Sequence, residues 1–158
     1  MQKTEGEESK AENEEVKQVT LMTSDGVKMK VEISIVYEME IVRSFIEVND
    51  ADHSVPFPLP NVSSHTLDLI IELVKNEYDD EFMKTFSHDE LKEVLVAANY
   101  LNMKTLLDFI ATAIANLLEK KSVEFIRNFF NIVNDFTPEE EAEIRKTNEW
   151  VFQDLDED

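Results

Sequence analysis

The three histidines, His53, His65 and His88, are the side chains best suited to proton transfer or metal binding near neutral pH. They stand in separate polar stretches, and no two have the spacing that would let one helix turn both imidazoles toward one ion. Glu139-Glu140-Glu141 places three carboxylates in a row, but they follow Thr137-Pro138 at the start of a helical stretch. There they complement the positive end of the helix dipole, and no calcium loop with its central glycine surrounds them. Cysteine is absent, which removes a disulfide framework, a thiolate zinc site and a cysteine nucleophile. Gly6 and Gly26 are the only glycines, too few for a phosphate-cradling loop or a dinucleotide fingerprint. The expectation is no catalytic residue, no cofactor and no metal, because an acidic hydrolase or metal enzyme needs convergent polar groups that the sequence does not show.

The stronger chemical signal is apolar. Phe125, Phe129, Phe130, Phe136, Trp150 and Phe152 crowd the last third of the chain, on short charged helical stretches separated by Asn131-Ile132-Val133-Asn134-Asp135. Short helices have few internal contacts and need a neighbour to bury such rings. Either the rings pack into their own domain, or they form an apolar docking surface rimmed by acids.

The elements that position these residues follow from periodicity and end signals. Met1 to Lys17 is polar, with six Glu and three Lys, and reads as a disordered acidic tail. Val19 to Thr23 alternates, Ser24-Asp25-Gly26 is a turn, and Val27, Met29, Val31 and Ile33 alternate again, which predicts a β-hairpin. Ile35, Met39, Val42, Phe45 and Ile46 predict one helix reaching about Val48. Val55-Pro56-Phe57-Pro58-Leu59-Pro60 cannot be helical and fits a short edge strand. Helices are then predicted from Ser63 or Ser64, from the capping box Ser87-His88-Asp89-Glu90, from Met103 to Glu119 and from Ser122 to Phe130. Asn99 to Asn102 is read as a tight connector. The Met103 helix is apolar around so much of its girth that burial between layers is expected. A last helix begins at Thr137, with Pro138 in its first position and Glu140 closing a capping box, and runs to about Trp150. Asp154 to Asp158 is an acidic tail.

The chain has 158 residues, enough for one domain with a small appended module and for a core that buries roughly 70% of the unfolded surface. A hydrophobic fraction of 42% is too high for a disordered acidic chain. Lys and Arg total 15 against 35 Asp and Glu, a formal net charge of -20. That balance argues against nucleic acid and against anionic membranes as partners, and favours a basic or apolar protein surface. With no signal peptide and no apolar run of ~20 residues, a soluble protein of cytoplasm and nucleus is expected.

Several motifs, in order from about Gln18 to Phe152, resemble the S-phase kinase-associated F-box adaptor family, the linker subunit of SCF-type ubiquitin ligases. They are Ser24-Asp25-Gly26; Val55-Pro56 with Pro58-Leu59-Pro60-Asn61-Val62; and Ala97-Ala98-Asn99-Tyr100-Leu101-Asn102 with Lys104 and Leu106-Leu107-Asp108. They end with Ile126-Arg127, Phe130-Asn131-Ile132, Asn134 to Glu141 and Asn148-Glu149-Trp150. The resemblance implies a mostly helical α/β (α+β) fold: a BTB/POZ-type cullin-binding domain over 18–119 with a small N-terminal β-sheet, then F-box-binding helices over 120–153. It implies a non-catalytic adaptor that bridges a cullin and F-box proteins for ubiquitin-dependent degradation, with no small-molecule substrate. Asn99 and Tyr100 match the cullin-contact positions. The F-box surface would comprise Ile110, Ile114, Leu118, Ile126, Phe130, Ile132, Phe136, Ile144, Trp150 and Phe152, with core packing as the alternative for some of its aliphatics.

The chain also departs from the family pattern. It lacks the long acidic insertion before Ser87, and Tyr78 replaces a usual Trp. Lys92 replaces a usual aromatic, and Lys120-Lys121-Ser122-Val123 replaces a Gly- and Pro-bearing helix start. Phe125 and Phe129 replace polar residues, and being four apart they share a helix face. They are expected to widen the F-box surface. A diverged paralogue that binds F-boxes without cullin, and an elongin-C-like adaptor, remain open alternatives.

Overall fold

The computed structural model describes residues 17–49 and 55–155. The acidic N-terminal stretch up to residue 16, His53 and residues 156–158 lie outside the described residues.

The hairpin forms as expected, from β1 (Gln18–Met22) and β2 (Lys28–Glu32), in antiparallel register with Val19 opposite Val31 and Leu21 opposite Met29. Val19, Leu21 and Val31 point into the core, so the period-2 pattern sets which sheet face is buried. Gly26 holds φ +78° in the turn, a left-handed conformation that costs glycine little. Asp25 ties this turn to a helix far along the chain. Its carboxylate accepts from Thr23 Oγ1 at 2.6 Å and from Ser64 N at 2.9 Å and Ser64 Oγ at 2.5 Å, while Ser24 N donates to Val62 O at 2.8 Å.

The predicted helix from Ile35 to Val48 is two helices, α1 (Ile33–Val36) and α2 (Glu40–Asn49). Between them Glu38 N reaches Ile35 O and Met39 N reaches Val36 O, so the chain turns tightly. Ile35, Val36, Met39 and Val42 are all buried across this turn. The apolar spacing is real, but it spans two helices.

Strand β3 (Phe57–Pro58) pairs parallel with β1, giving the order β2-β1-β3 with β3 at an edge. Leu59 N donates to Met22 O at 2.7 Å. Backbone donors alternate in direction along a strand, so Pro56 and Pro58 fall where outward N–H groups would be.

Helix α3 (Ser64–Lys75) starts on Ser63, whose Oγ accepts from Thr66 N at 3.2 Å. It ends in two successive left-handed residues, Glu77 and Tyr78, and the Tyr78 hydroxyl donates to the Glu38 carboxylate. A short α4 (Asp80–Met83), not anticipated from the sequence, fills the place of the missing insertion. Helix α5 (His88–Leu101) carries the expected Ser87/Glu90 capping box. It also absorbs Asn99, Tyr100 and Leu101, so the connector shrinks to Asn102 and Met103. Asn102 closes the helix at φ 52°, and its side chain donates to Glu40 at 2.6 Å.

Helix α6 (Lys104–Leu118) buries Leu106, Ile110 and Ile114 but leaves Ala111 and Ala115 exposed, so it is covered on one side only. The core is the space enclosed by the sheet, α1 to α3, α5 and α6. The last elements are α7 (Val123–Phe130), α8 (Pro138–Thr147) and a 3-10 turn, Glu149–Phe152. Trp150 therefore lies beyond α8 and not in it, because Asn148 leaves helical geometry after Asn148 N has bonded Ile144 O.

The Asp25 staple has a pH signature. Its bonds from Ser64 and Thr23 lower its pKa from 3.8 to about 2. A depressed carboxylate contributes stability above its unfolded value, and that contribution is lost as pH falls from about 4 through 2. Asp25→Asn should lower the melting temperature at pH 7 and flatten this acid limb, as read by thermal melts between pH 2 and 7.

Candidate functional site

Asn99 and Tyr100 occupy the last turn of α5. Asn99 is exposed and Tyr100 half-buried. The left-handed Asn102 and its bond to Glu40 fix this turn against the start of α2. Polar side chains, Asn99 and Asn102, are exposed there. Lys92 lies eight residues, about 12 Å, back along the same helix, and its departure from the family pattern leaves this turn untouched.

At the other end of the molecule α7 begins on Ser122, whose Oγ accepts from Phe125 N at 3.0 Å. It stops at Asn131, which takes φ 55°, and Ile132 N bonds back to Arg127 O at 2.8 Å. This helix-ending bond pattern reverses the chain and turns Ile132 and Val133 outward. Asn134 Oδ1 accepts from Phe136 N, which leads directly into Thr137. Thr137 Oγ1 accepts from Glu140 N at 3.2 Å, and Glu140 returns a carboxylate to Thr137 N at 3.0 Å. Glu140 is thus engaged in capping. Glu141 is the hub between the two helices: it meets Asn134, Arg127 at 3.4 Å and Arg145 at 3.5 Å, and Arg145 continues to Glu124 at 2.6 Å. The Asn134 amide first, and then the two guanidiniums, hold the Glu141 carboxyl below its ordinary pKa. Arg127 lies 6.0 Å from the Phe136 ring and Arg145 4.8 Å from the Phe152 ring, so two predicted surface aromatics are carried on this charged bracket.

Phe130, Ile132, Phe136, Ile144 and Trp150 are exposed, with Trp150 at 73%. Leu118, Ile126 and Phe152 are half-buried beside them in sequence. Val133, 84% exposed, and Val151, 44% exposed, join this set and were missed. Each stands next to a predicted residue, and only the left-handed residue at Asn131 and the 3-10 turn decide that they face out.

Four expected docking residues face elsewhere. Ile110 and Ile114 are buried in the core beneath α6. Phe129 is 4% exposed, and Phe125 is half-buried. Their shared face is turned to the start of α5, not outward: the Phe129 ring stands 5.1 Å from the His88 ring and 5.3 Å from Lys92 Nζ, and Phe125 stands 5.9 Å from His88. Lys92 Nζ also donates to the Phe129 carbonyl, and its side chain is only 19% exposed. In this structure the pair packs against α5 and does not add to the exposed apolar set. Lys92, Phe125 and Phe129 form one contact that fastens α7 to α5.

The two described histidines, His65 and His88, do not converge. His65 Nε2 meets Glu90 at 2.8 Å, while His88 serves the Phe129 contact. Among the described residues no group of three or more His, Asp or Glu is placed to hold a metal ion. No described helix is long and apolar enough to cross a membrane.

Two family models match the chain: Skp1 family, tetramerisation domain, over residues 17–78, and Skp1 family, dimerisation domain, over residues 104–151. SKP1-like protein 14 of Arabidopsis thaliana is 40% identical, covering 85% of this chain and 97% of that protein. SKP1-like protein 1A of the same plant is 36% identical over 87% and 98%. The E3 ubiquitin ligase complex SCF subunit sconC of Arthroderma benhamiae is 35% identical over 84% and 94%.

Truncating a fully packed Phe costs about 3–5 kcal/mol. Because Phe129 joins α7 to α5, Phe129→Ala should release α7 and α8 while sparing the rest. Backbone hydrogen exchange should accelerate in residues 123–147 and stay slow in α3 and α5. Lys92→Met should give the same pattern with a smaller effect, about 1–3 kcal/mol.

Proposed function

The chain belongs to the Skp1 family, and from that premise we propose that it acts as the adaptor subunit of an SCF-type E3 ubiquitin ligase, linking a cullin to F-box substrate receptors. The names of its relatives support this reading, one of them an SCF subunit at 35% identity across nearly its whole length. The observation that carries it is the exposed set Phe130, Ile132, Phe136, Ile144 and Trp150, presented on capped, ion-bracketed short helices.

The F-box contact is assigned to those five residues together with Leu118, Ile126 and Phe152. Val133 and Val151 extend it, while Ile110, Ile114, Phe125 and Phe129 support it from beneath. A large exposed Trp beside aliphatics, rimmed by Glu139, Glu143 and Glu149, has the make-up of an interface core with a polar rim. The cullin contact is assigned to Asn99 and Tyr100 on the polar turn at the far end of α5. Two separate surfaces on one rigid core suit a bridge. Its contribution to ubiquitin transfer is positional, holding receptor and scaffold at a fixed geometry, and chemistry is left to other subunits. The elongin-C-like alternative is disfavoured by the Asn134-Asp135-Phe136 segment, which opens α8 here. The diverged-paralogue alternative loses its motive, since Lys92 is engaged by Phe129.

Co-purification with an F-box domain and with a cullin N-terminal domain tests the division. Wild type should bridge both. Trp150→Ala should weaken the F-box by about 30-fold or more, the effect of a binding hot spot, and leave cullin unchanged. Tyr100→Lys should do the reverse. Recovery of the F-box without cullin by wild type would remove the ligase assignment.

A further inference from the structure

An open groove of about 750 Å³ runs between α4, the start of α5 and one flank of α6. Its floor is apolar, made of Phe86, Leu91, Phe109 and Leu117. Helix α6 carries Asp108, Ala113 and Asn116 on this flank. At 100° per residue Ala111 and Leu118 lie on the side of α6 away from Phe109, Ala113 and Asn116, toward the surface assigned to the F-box. The groove also lies at the end of α5 away from Asn99 and Tyr100. Neither proposed partner surface uses it.

Two carboxylates stand in its wall, Asp80 on α4 and Asp108 on α6. Both side chains are exposed, and neither makes a hydrogen bond or salt bridge among the described residues. The lysine in the wall, Lys84, is already held by Glu81 at 2.7 Å. Lys84 also feels Asp80, so the groove combines an apolar floor with a partly offset Asp80 and an unpaired Asp108, in a chain whose net charge is -20.

We propose that this groove is a third docking site, for a basic amphipathic peptide segment of a partner protein. One large apolar side chain of that segment covers Phe109 and Leu117, and flanking Lys or Arg residues meet Asp80 and Asp108. Charge complementarity selects this occupant: an uncharged apolar segment would strip water from both carboxylates without a counter-charge, and an acidic one would be repelled. The site would let the adaptor hold a further protein while its other two surfaces are engaged.

Panning a phage-displayed library of short random peptides on the full chain supplies the probe. Synthetic versions of the selected peptides are then measured by fluorescence anisotropy against variants. The expected pool pairs Lys or Arg with Leu, Phe or Trp. Binding should fall about tenfold or more with Asp108→Lys, an exposed position that folds normally, and with Ala113→Trp, which fills the groove. It should be unchanged with Trp150→Ala and with Asp68→Lys, an acid exposed on α3. Four results overturn the proposal: a pool without enriched basic residues, peptides that tolerate both groove variants, peptides lost with Trp150→Ala, or equal loss with Asp68→Lys, which marks attraction to net charge alone.

Discussion

Beyond Ile114 only one side chain among the described residues is buried, the Phe129 ring. Helix α8 buries none, and the 3-10 turn after it buries none. Everything that presents the exposed apolar set therefore depends on how that ring is held. It is gripped on two sides by different chemistry: the His88 ring and Lys92 ammonium contact its face, and the same ammonium bonds its carbonyl. Backbone and side chain of one residue are thus fixed by one partner, which sets the rotation of α7 about its axis as well as its position. The rotation matters, because the partly exposed Phe130 ring rests edge-on against Phe129, 4.9 Å between centroids, and is positioned by it.

The two parts of the molecule are stabilised in different ways. From Val19 to Ile114 the chain is organised by apolar burial, and its polar bonds, such as the Asp25 staple, lock the ends of elements already packed. In α7 and α8 the order is reversed. The Ser122 cap, one capping box at Thr137, a left-handed helix end and the Arg127-Glu141-Arg145-Glu124 bracket hold the backbone, and the apolar groups are left over. Exposed ion pairs contribute little each and are screened by salt. This part is accordingly the less stable one when no partner covers it.

What was legible in the sequence was local. The hairpin, the edge strand and the Ser63, Ser87, Ser122 and Thr137 caps are each specified by neighbouring residues, and each was found where expected. What was not legible needed a distant partner. Nothing in the sequence near Tyr37 signals the break between α1 and α2. Phe125 and Phe129 share a face, but whether it meets solvent or α5 is decided by His88 and Lys92, nearly forty residues earlier. Ile110 and Ile114 were assigned by resemblance to a surface, and the depth of α6 in the core places them under it. No period marks Val133, because its outward direction is set by the turn at Asn131.

The proline pattern of β3 bears on how this protein behaves when crowded. A sheet edge with free outward donors is a template on which a second chain can add a strand, and repeated addition leads to fibres. Here Pro56 and Pro58 remove those donors in succession, so the edge has nothing to offer an incoming carbonyl. The β3 side of the sheet is thereby closed to growth by strand addition, while β2 forms the other edge. Any backbone ladder between copies is thus confined to the β2 side, where Lys28, Lys30 and Glu32 place charges along the strand.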